Sequence, residues 1–135
     1  ERLELELTES MIMDDGVESV RRLQALKTMG VHLAIGDFGT GYSSLSYLRR
    51  FRVAKMKIDR SFVVDLAISE DARAVAGAIV GLGRGLGLKI VAEGIEDVDQ
   101  LNRLKALGCD EGQGYLFARP APAGQVLDLA GAAER

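Results

Sequence analysis

The chain has 135 residues, of which 47% are hydrophobic and 27% are charged, and its formal net charge is −3 at pH 7. This length fits one domain with a buried core, and this composition is ordinary for a globular protein. No apolar run approaches the roughly 20 residues of a membrane span, and the slight negative charge without a basic cluster argues against direct DNA binding.

Five strands alternate with helices in the predicted secondary structure. Leu3, Leu5 and Leu7 alternate with polar residues, and this period of two predicts the first strand. The other strands are predicted at residues 31–35, 53–58, 88–92 and about 114–117. Apolar residues at helical spacing, with capping residues, predict helices at about 17–29, 43–51, 71–86, 98–107 and 126–135.

One glycine recurs at the junction between a helix and the next strand. Gly30, Gly87 and Gly108 each follow a predicted helix and precede a predicted strand. Strands that alternate with helices of this length predict a parallel sheet of the α/β class. Five such units could form an open doubly wound sheet or part of a barrel. A complete (β/α)₈ barrel needs about 250 residues, so this chain would supply about half to two-thirds of one.

Acidic residues stand at the ends of four consecutive predicted strands. The acids are Glu6 and Glu9, Asp37, Asp59, and Glu93 with Glu96. In α/β sheets the chemistry lies at the carboxyl ends of the strands, and strands covered by helices are otherwise apolar on both faces. For the first strand, the alternative is that Glu4 and Glu6 belong to a solvated face.

Carboxylates that converge in this way must bind cations or take up protons. The chain has a lysine, Lys57, at the third strand end and only one histidine. Oxygen ligands without histidine suit Mg²⁺ or Mn²⁺ better than zinc. Such a site suits hydrolysis of a phosphate ester, in which metals activate water and neutralise the phosphate.

Five stretches resemble the motifs of the EAL-domain family, the bacterial phosphodiesterases and receptors of cyclic di-GMP. The stretches are 6–10 (ELTES), 37–45 (DFGTGYSSL), 57–63 (KIDRSFV), 91–96 (VAEGIE) and 108–117 (GCDEGQGYLF). They arrive in family order and cover nearly the whole chain. The resemblance implies a partial TIM-like (β/α) barrel of about five βα units with helices outside. Residues 1–135 would be the C-terminal part of one EAL domain that lacks its N-terminal strands.

The resemblance also implies a reaction, the cleavage of cyclic di-GMP to linear pGpG with two Mg²⁺ or Mn²⁺ ions. The implied metal ligands are Glu6, Asp37 and Glu93. Glu9 would brace the loop that begins at Asp37. Family members dimerise through elements beside this loop, so the loop would couple assembly to metal binding.

The implied catalytic residues are Lys57, Asp59, Glu93 and Gln113. Lys57 would contact the attacking water or the phosphate, and Asp59 would help to polarise that water. Gln113 would lie near the water or the lysine. Glu93 would serve both in catalysis and as a metal ligand.

Two departures from the family pattern bear on activity. The Glu-Ala-Leu motif that names the family belongs to earlier strands, which this chain lacks. The family also has two consecutive acids before Phe-Gly-Thr-Gly, and here the first is replaced by Gly36. In the family that acid bridges both metals, so we expect weak metal binding and little or no hydrolysis. The alternative is a catalytically degenerate EAL module that acts as a cyclic di-GMP receptor or a protein-interaction domain.

The cellular location is expected to be cytoplasmic. No basic and apolar leader begins the sequence, and the single cysteine, Cys109, fits a reducing compartment. Because the chain begins at Glu1, it reads as a fragment, and other domains of a parent protein could attach it to a membrane.

An incomplete barrel would expose two strand edges and one interior face, which favours edge pairing. We therefore expect the chain to self-associate or to pair with another EAL-containing chain. Sedimentation velocity at micromolar concentration should show dimers or larger species. A compact, stable monomer under these conditions would contradict this expectation.

Overall fold

The computed structural model describes residues 3–8, 11, 17–40, 48 and 53–126. In these ranges the strands are β1 (Glu4–Thr8), β2 (His32–Phe38), β3 (Lys55–Ile58), β4 (Lys89–Ala92) and β5 (Glu111–Gly112). The helices are α1 (Val17–Thr28), α2 (Arg60–Val64), α3 (Glu70–Gly85) and α4 (Val98–Leu107). The predicted helices at 43–51 and 126–135 fall almost entirely outside the described residues.

The five strands form one parallel sheet whose spatial order follows the chain, β1-β2-β3-β4-β5. A doubly wound sheet reverses its strand order at a switch point, and this sheet has no such reversal. The order therefore confirms the prediction of part of a (β/α) barrel over the doubly wound alternative.

The core lies between the sheet and the helices. Strand β2 is buried almost continuously, as expected for a parallel strand covered on both faces. The largest fully buried side chains include Leu33, Met56, Ile90 and Leu104, which come from three strands and α4. Cys109 packs against this core, and burial raises the pKa of its thiol to about 11, so the thiol stays protonated at neutral pH.

The helix ends follow the capping signals in the sequence. The side chain of Ser69 accepts a hydrogen bond from Ala72 N at the start of α3. Asp97 and Gln100 form a reciprocal capping box at the start of α4. Gly108 ends α4 in the left-handed conformation, with φ 95°. Among the helices of the described ranges, none has the length and apolarity needed to cross a bilayer.

Two sequence predictions about the fold are corrected by the structure. The fifth strand is Glu111–Gly112, whereas residues 114–117, predicted as a strand, form a turn. The chain turns there because Gly114 lies against the backbone of Ile95, where a Cβ would overlap main-chain atoms. The connection after β3, where no helix is predicted, contains a short helix, α2, capped by Asp59.

Two glycines of α3 provide a matched test of its packing. Gly83 is buried, and an added Cβ would meet the Ile90 side chain and lie 3.3 Å from Met56 Sδ, whereas nothing lies within 4 Å of one at Gly81. We expect Gly83→Ala to lower the free energy of unfolding by about 1–3 kcal/mol through overpacking. Gly81→Ala should raise it by about 0.5–1 kcal/mol, because alanine favours the helix.

Urea denaturation of the two variants beside the parent protein measures both effects. Equal effects of the two substitutions would contradict the packing of α3 on the sheet.

Candidate functional site

The sheet brings charged side chains from four neighbouring strands to one end. Glu6 lies in β1, Asp37 in β2 and Lys57 in β3, and Glu93 directly follows β4. The parallel registers run continuously across the sheet, so these strands end on the same side. The pairing of β2 with β3 shifts between Ile35 and Phe38, beside Asp37. This end is the carboxyl edge at which the sequence analysis placed the chemistry.

Three acids at this edge form a compact group, which we call the carboxylate cluster: Glu6, Asp37 and Glu93. One carboxylate oxygen from each lies within 4.8 Å of the others. Asp37 has a φ of 53°, a left-handed conformation that is uncommon for residues other than glycine. Strained backbone of this kind is found at sites where side-chain direction matters. The structure thus brings together the three residues that the sequence analysis predicted as metal ligands.

Lys57 joins two members of the carboxylate cluster. Its Nζ lies 2.5 Å from Glu6 Oε2 and 2.5 Å from Glu93 Oε1. The Lys57 side chain is 12% exposed and that of Glu93 is 16% exposed, whereas Glu6 is 40% exposed, so the pair with Glu93 is the one that is shielded from water. Gln113 Nε2 donates a second hydrogen bond to Glu93 Oε1, at 2.8 Å. The lysine and the glutamine predicted as catalytic residues therefore meet at one oxygen of Glu93.

The ion pairs control the protonation state of Lys57. Burial by itself would lower the pKa of this amine, but the hydrogen bonds to Glu6 and Glu93 outweigh it and raise the pKa above its ordinary value of 10.5. The amine therefore remains a cation at neutral pH. It is suited to hold an anion or a water molecule and is not suited to act as a base.

Asp59 directly follows β3, two residues after Lys57, but it has a different set of contacts. Its Oδ1 accepts a hydrogen bond from Ser61 N at 2.9 Å and caps α2. Hydrogen bonds from Ser61 hold the pKa of Asp59 below its usual value, so the group is an anion at neutral pH. Asp59 is not one of the three acids of the carboxylate cluster, and its role with water stays a prediction.

Gly36 is buried beside the carboxylate cluster, where the Glu6 side chain occupies the adjacent space. A Cβ added at Gly36 would overlap the Glu6 carboxylate, 2.7 Å from Cδ and 2.8 Å from Cγ. The Glu6 carboxylate can therefore occupy this position only because residue 36 has no side chain. Glu9, predicted to brace the loop after Asp37, lies outside the described residues, as does most of that loop.

Two loops hold Gln113 in place through main-chain contacts. Gln113 N donates to Ala92 O at 2.9 Å, and Ile95 N donates to Gln113 O at 3.1 Å. Leu116 N then donates to Ile95 O at 3.0 Å. The close approach needs Gly114, because a side chain there would meet the Ile95 backbone. This positioning role is not evident from the sequence, where its one signal is the glycine directly after Gln113.

A cleft of about 600 Å³ adjoins the site and was not predicted from the sequence. Residues that line it include Arg60, Glu96, Gln113, Tyr115 and Arg119. The guanidinium of Arg119 stacks 4.7 Å from the centre of the Tyr115 ring. Arg60 Nη2 pairs with Glu96 Oε1 at 2.5 Å. The cleft therefore offers an aromatic face and cationic groups next to the carboxylate cluster.

A second layer of charges lies beneath the first on the same sheet. Lys55 Nζ is 3.3 Å from Glu4 Oε2 and 2.9 Å from Glu111 Oε2, and Lys89 lies 3.5 Å from Glu111 Oε1. Glu4 and Glu6 thus face lysines of β3. This result disfavours the alternative in which the two acids only form a solvated strand face.

The carboxylate cluster fits a divalent cation by its donor chemistry. Mg²⁺, Mn²⁺ and Ca²⁺ prefer carboxylate oxygens. An ion centred among three oxygens spaced as these are would lie within about 2.8 Å of each, so a small movement of the side chains would complete the contacts. Glu6, Asp37 and Glu93 are the residues that would hold the ion.

The raised pKa of Lys57 leads to a test of the two ion pairs. Because the folded state raises this pKa, the stabilisation is complete below pH 10.5 and is lost as the pH rises through the raised value. Lys57→Met should therefore lower the free energy of unfolding by about 1–3 kcal/mol at pH 7. The difference from the parent protein should stay constant to about pH 9 and shrink above about pH 10.5.

Chemical denaturation across this pH range gives the measurement. Lys105→Met, which changes an exposed lysine of α4, is the control and should change stability by less than about 0.5 kcal/mol. A Lys57→Met effect that disappears below pH 9 would rule out the charged bridge.

Comparison with known proteins identifies the family. The family model of the EAL domain matches residues 1–120. MucR of Pseudomonas aeruginosa, a bifunctional diguanylate cyclase/cyclic di-GMP phosphodiesterase, is 52% identical over 123 residues. These residues are 91% of this chain and 18% of MucR, so the chain spans less than a fifth of that relative's length.

Solved structures agree with this match. The MucR phosphodiesterase in complex with cyclic di-GMP superposes with a TM-score of 0.85 and 52% identity, over 92% of this chain and 50% of the solved chain. The EAL domain of Mycobacterium smegmatis DcpA superposes with a TM-score of 0.87 and 37% identity, over 96% of this chain and 58% of the solved chain. Klebsiella pneumoniae BlrP1 with manganese and cyclic di-GMP superposes with a TM-score of 0.79 and 38% identity, over 87% of this chain and 30% of the solved chain.

These matches agree with the parallel, sequentially ordered sheet, since EAL domains have the TIM-barrel fold. They also agree with a strand edge at which an acid cluster, a lysine and a glutamine meet. The chain belongs to the EAL-domain family, which includes cyclic di-GMP phosphodiesterases.

Proposed function

We propose that the chain carries the C-terminal part of an EAL-type site that binds cyclic di-GMP and hydrolyses it to pGpG only weakly or not at all. The observation that carries the proposal is the contact of Lys57 with both Glu6 and Glu93, beside Gly36. A lysine and acids of the kind that a phosphodiester-cleaving site needs support the proposal, but the position next to Asp37 offers no side-chain oxygen. MucR and BlrP1, which are solved with cyclic di-GMP, support the choice of ligand.

In such a site some residues of this chain would stabilise charge and others would hold the reacting groups in position. Bound Mg²⁺ or Mn²⁺ would activate water and neutralise the phosphate. Lys57, held between two carboxylates, would turn its ammonium toward a phosphate oxygen or the attacking water. Gln113 fixes Glu93 through its amide. Asp59, an anion at neutral pH, would orient the water as a hydrogen-bond acceptor.

The adjoining cleft suits the purine end of the ligand. Tyr115 and Arg119 already stack on each other, and a planar base can replace or extend such a stack. Arg119 adds positive charge, which a phosphate diester needs near a cluster of acids, whereas the charge of Arg60 is offset by Glu96. The cleft explains how a net acidic chain could hold an anionic dinucleotide.

The second candidate function is a cyclic di-GMP receptor or a protein-interaction module without hydrolysis. Gly36 is the observation in its favour, because removal of one metal ligand affects the chemical step more than contacts to the base and sugar. Either function is compatible with pairing to a second copy or to another EAL-containing chain. Hydrolysis and binding must therefore be measured separately.

The test restores the missing acid by Gly36→Asp in a polypeptide that carries the complete EAL domain. We expect hydrolysis of cyclic di-GMP with Mg²⁺ or Mn²⁺ to rise by at least about tenfold, because the added carboxylate can bridge two metals. Gly36→Ala is the matched control. It adds a Cβ without an oxygen and should give no increase.

Chromatography of the pGpG product measures turnover, and calorimetry with cyclic di-GMP measures binding. A parent protein that already turns over at the rate of Gly36→Asp would overturn the proposed effect of Gly36. Binding by both proteins without turnover by either would favour the receptor.

A further inference from the structure

One buried polar side chain of α4 has no part in the proposed chemistry. Gln100 is 5% exposed, and no other polar side chain in the described ranges is buried to this extent. A buried amide needs partners for both its oxygen and its nitrogen, because an unpaired polar group in the core costs free energy. The partners of Gln100 therefore show which segments it holds together.

The oxygen of Gln100 binds the segment that follows β4, residues 93–97, which we call the β4 loop. Gln100 Oε1 accepts a hydrogen bond from Glu96 N at 2.8 Å and one from Asp97 N at 3.3 Å. In a capping box the glutamine binds the backbone N–H of the cap residue, which here is Asp97. The shorter bond goes to the residue before the cap, so Gln100 holds the β4 loop as well as capping α4.

The nitrogen of Gln100 binds a different helix. Gln100 Nε2 donates to Val64 O at 3.4 Å, and Val64 is the last residue of α2. Arg60, the first residue of α2, pairs through Nη2 with Glu96 Oε1 at 2.5 Å, and its aliphatic stem lies against Gly94. Helix α2 is thus attached to the β4 loop at both of its ends. Because the Arg60 side chain is 60% exposed, the buried attachment through Gln100 is the one shielded from water.

The β4 loop carries two groups that hold Gln113. Glu93 Oε1 accepts the hydrogen bond from Gln113 Nε2, and Ile95 N donates to Gln113 O. One loop therefore fixes both the side chain and the backbone of Gln113. Glu96, which Gln100 binds, comes one residue after Ile95 and three after Glu93. A displacement at Glu96 is close enough along the chain to disturb both contacts.

We propose that Gln100 is a positioning residue of the site: its buried amide clamps the β4 loop between α2 and α4 and so keeps Glu93 in contact with Gln113. The inference rests on the proposed function for the role of that contact. It goes beyond the proposed function by adding a residue that acts only through its neighbours. Loss of the clamp is expected to weaken the bond between Gln113 and Glu93 while the chain stays folded.

The test follows the side-chain amide signal of Gln113 by NMR, in a polypeptide that carries the complete EAL domain and glutamine labelled with a stable nitrogen isotope. Gln113→Leu assigns the signal by its loss, and Glu93→Ala gives its position without the acceptor. In Gln100→Met, which removes both polar groups, we expect the signal to move toward its position in Glu93→Ala. The backbone amides of Glu96 and Asp97 should exchange with deuterium about tenfold faster.

Gln100→Glu separates the clamp from the helix cap. Glutamate also serves in capping boxes, and its carboxylate keeps the bonds from Glu96 N and Asp97 N. As an ion it has no donor for Val64 O. The clamp therefore predicts that Gln100→Glu shifts the Gln113 signal in the same direction as Gln100→Met. Circular dichroism checks folding, and Gln100→Glu carries the test where Gln100→Met does not fold.

Ser69→Ala is the matched control for the loss of a helix cap, because the Ser69 side chain accepts a hydrogen bond from Ala72 N at the start of α3. This variant should lower the free energy of unfolding, measured by urea denaturation, and should leave the Gln113 signal unchanged. An equal shift of the signal in Ser69→Ala would overturn the inference, since a general loss of stability would then account for it.

A Gln113 signal that is unchanged in both Gln100 variants would also overturn the inference. A shift in Gln100→Met without one in Gln100→Glu would overturn it as well, since a helix cap alone would account for that result. The measurement needs neither nucleotide nor turnover. Its failure is therefore distinct from failure of the proposed function, which would appear as absent binding of cyclic di-GMP.

Discussion

The contact of Lys57 with Glu6 and Glu93 is the interaction on which the site depends. Three acids at one strand edge repel one another, and the lysine from the strand between them offsets part of that repulsion. The side chain reaches both acids because β3 is central in a sheet whose order follows the chain. The order of the strands, which is a property of the fold, therefore determines which charges meet.

A second lysine of β3 also bridges two acids, one layer below Lys57 on the sheet. Lys55, two residues before Lys57 on the same face, pairs with acids of β1 and β5, the two outer strands. One strand thus supplies both cations, and its neighbours supply the anions. The two lysines therefore join β3 by ion pairs to β1 on one side and to β4 and β5 residues on the other.

Much of the fold, and the meeting of acids at one edge of the sheet, could be predicted from the sequence, because the signals are local or motif-based. Helix caps such as Asp97 and Gly108 and the acids at strand ends fall in this group. The turn at Gly114 was misread as a strand because its cause is a contact with Ile95, nearly twenty residues away. The cleft beside Tyr115 and Arg119 was missed for the same reason, since it forms only where separate loops meet. Sequence patterns indicate periodicity and helix caps, but they do not indicate which distant segments come into contact.

Gly36 shows how one missing side chain can determine where a neighbouring side chain lies. The sequence alone treats the position as a lost ligand, because a glycine offers no oxygen. In the folded chain the adjacent strand fills the space with the carboxylate of Glu6. A side chain at position 36 would have to displace this carboxylate, and with it the ion pair between Glu6 and Lys57.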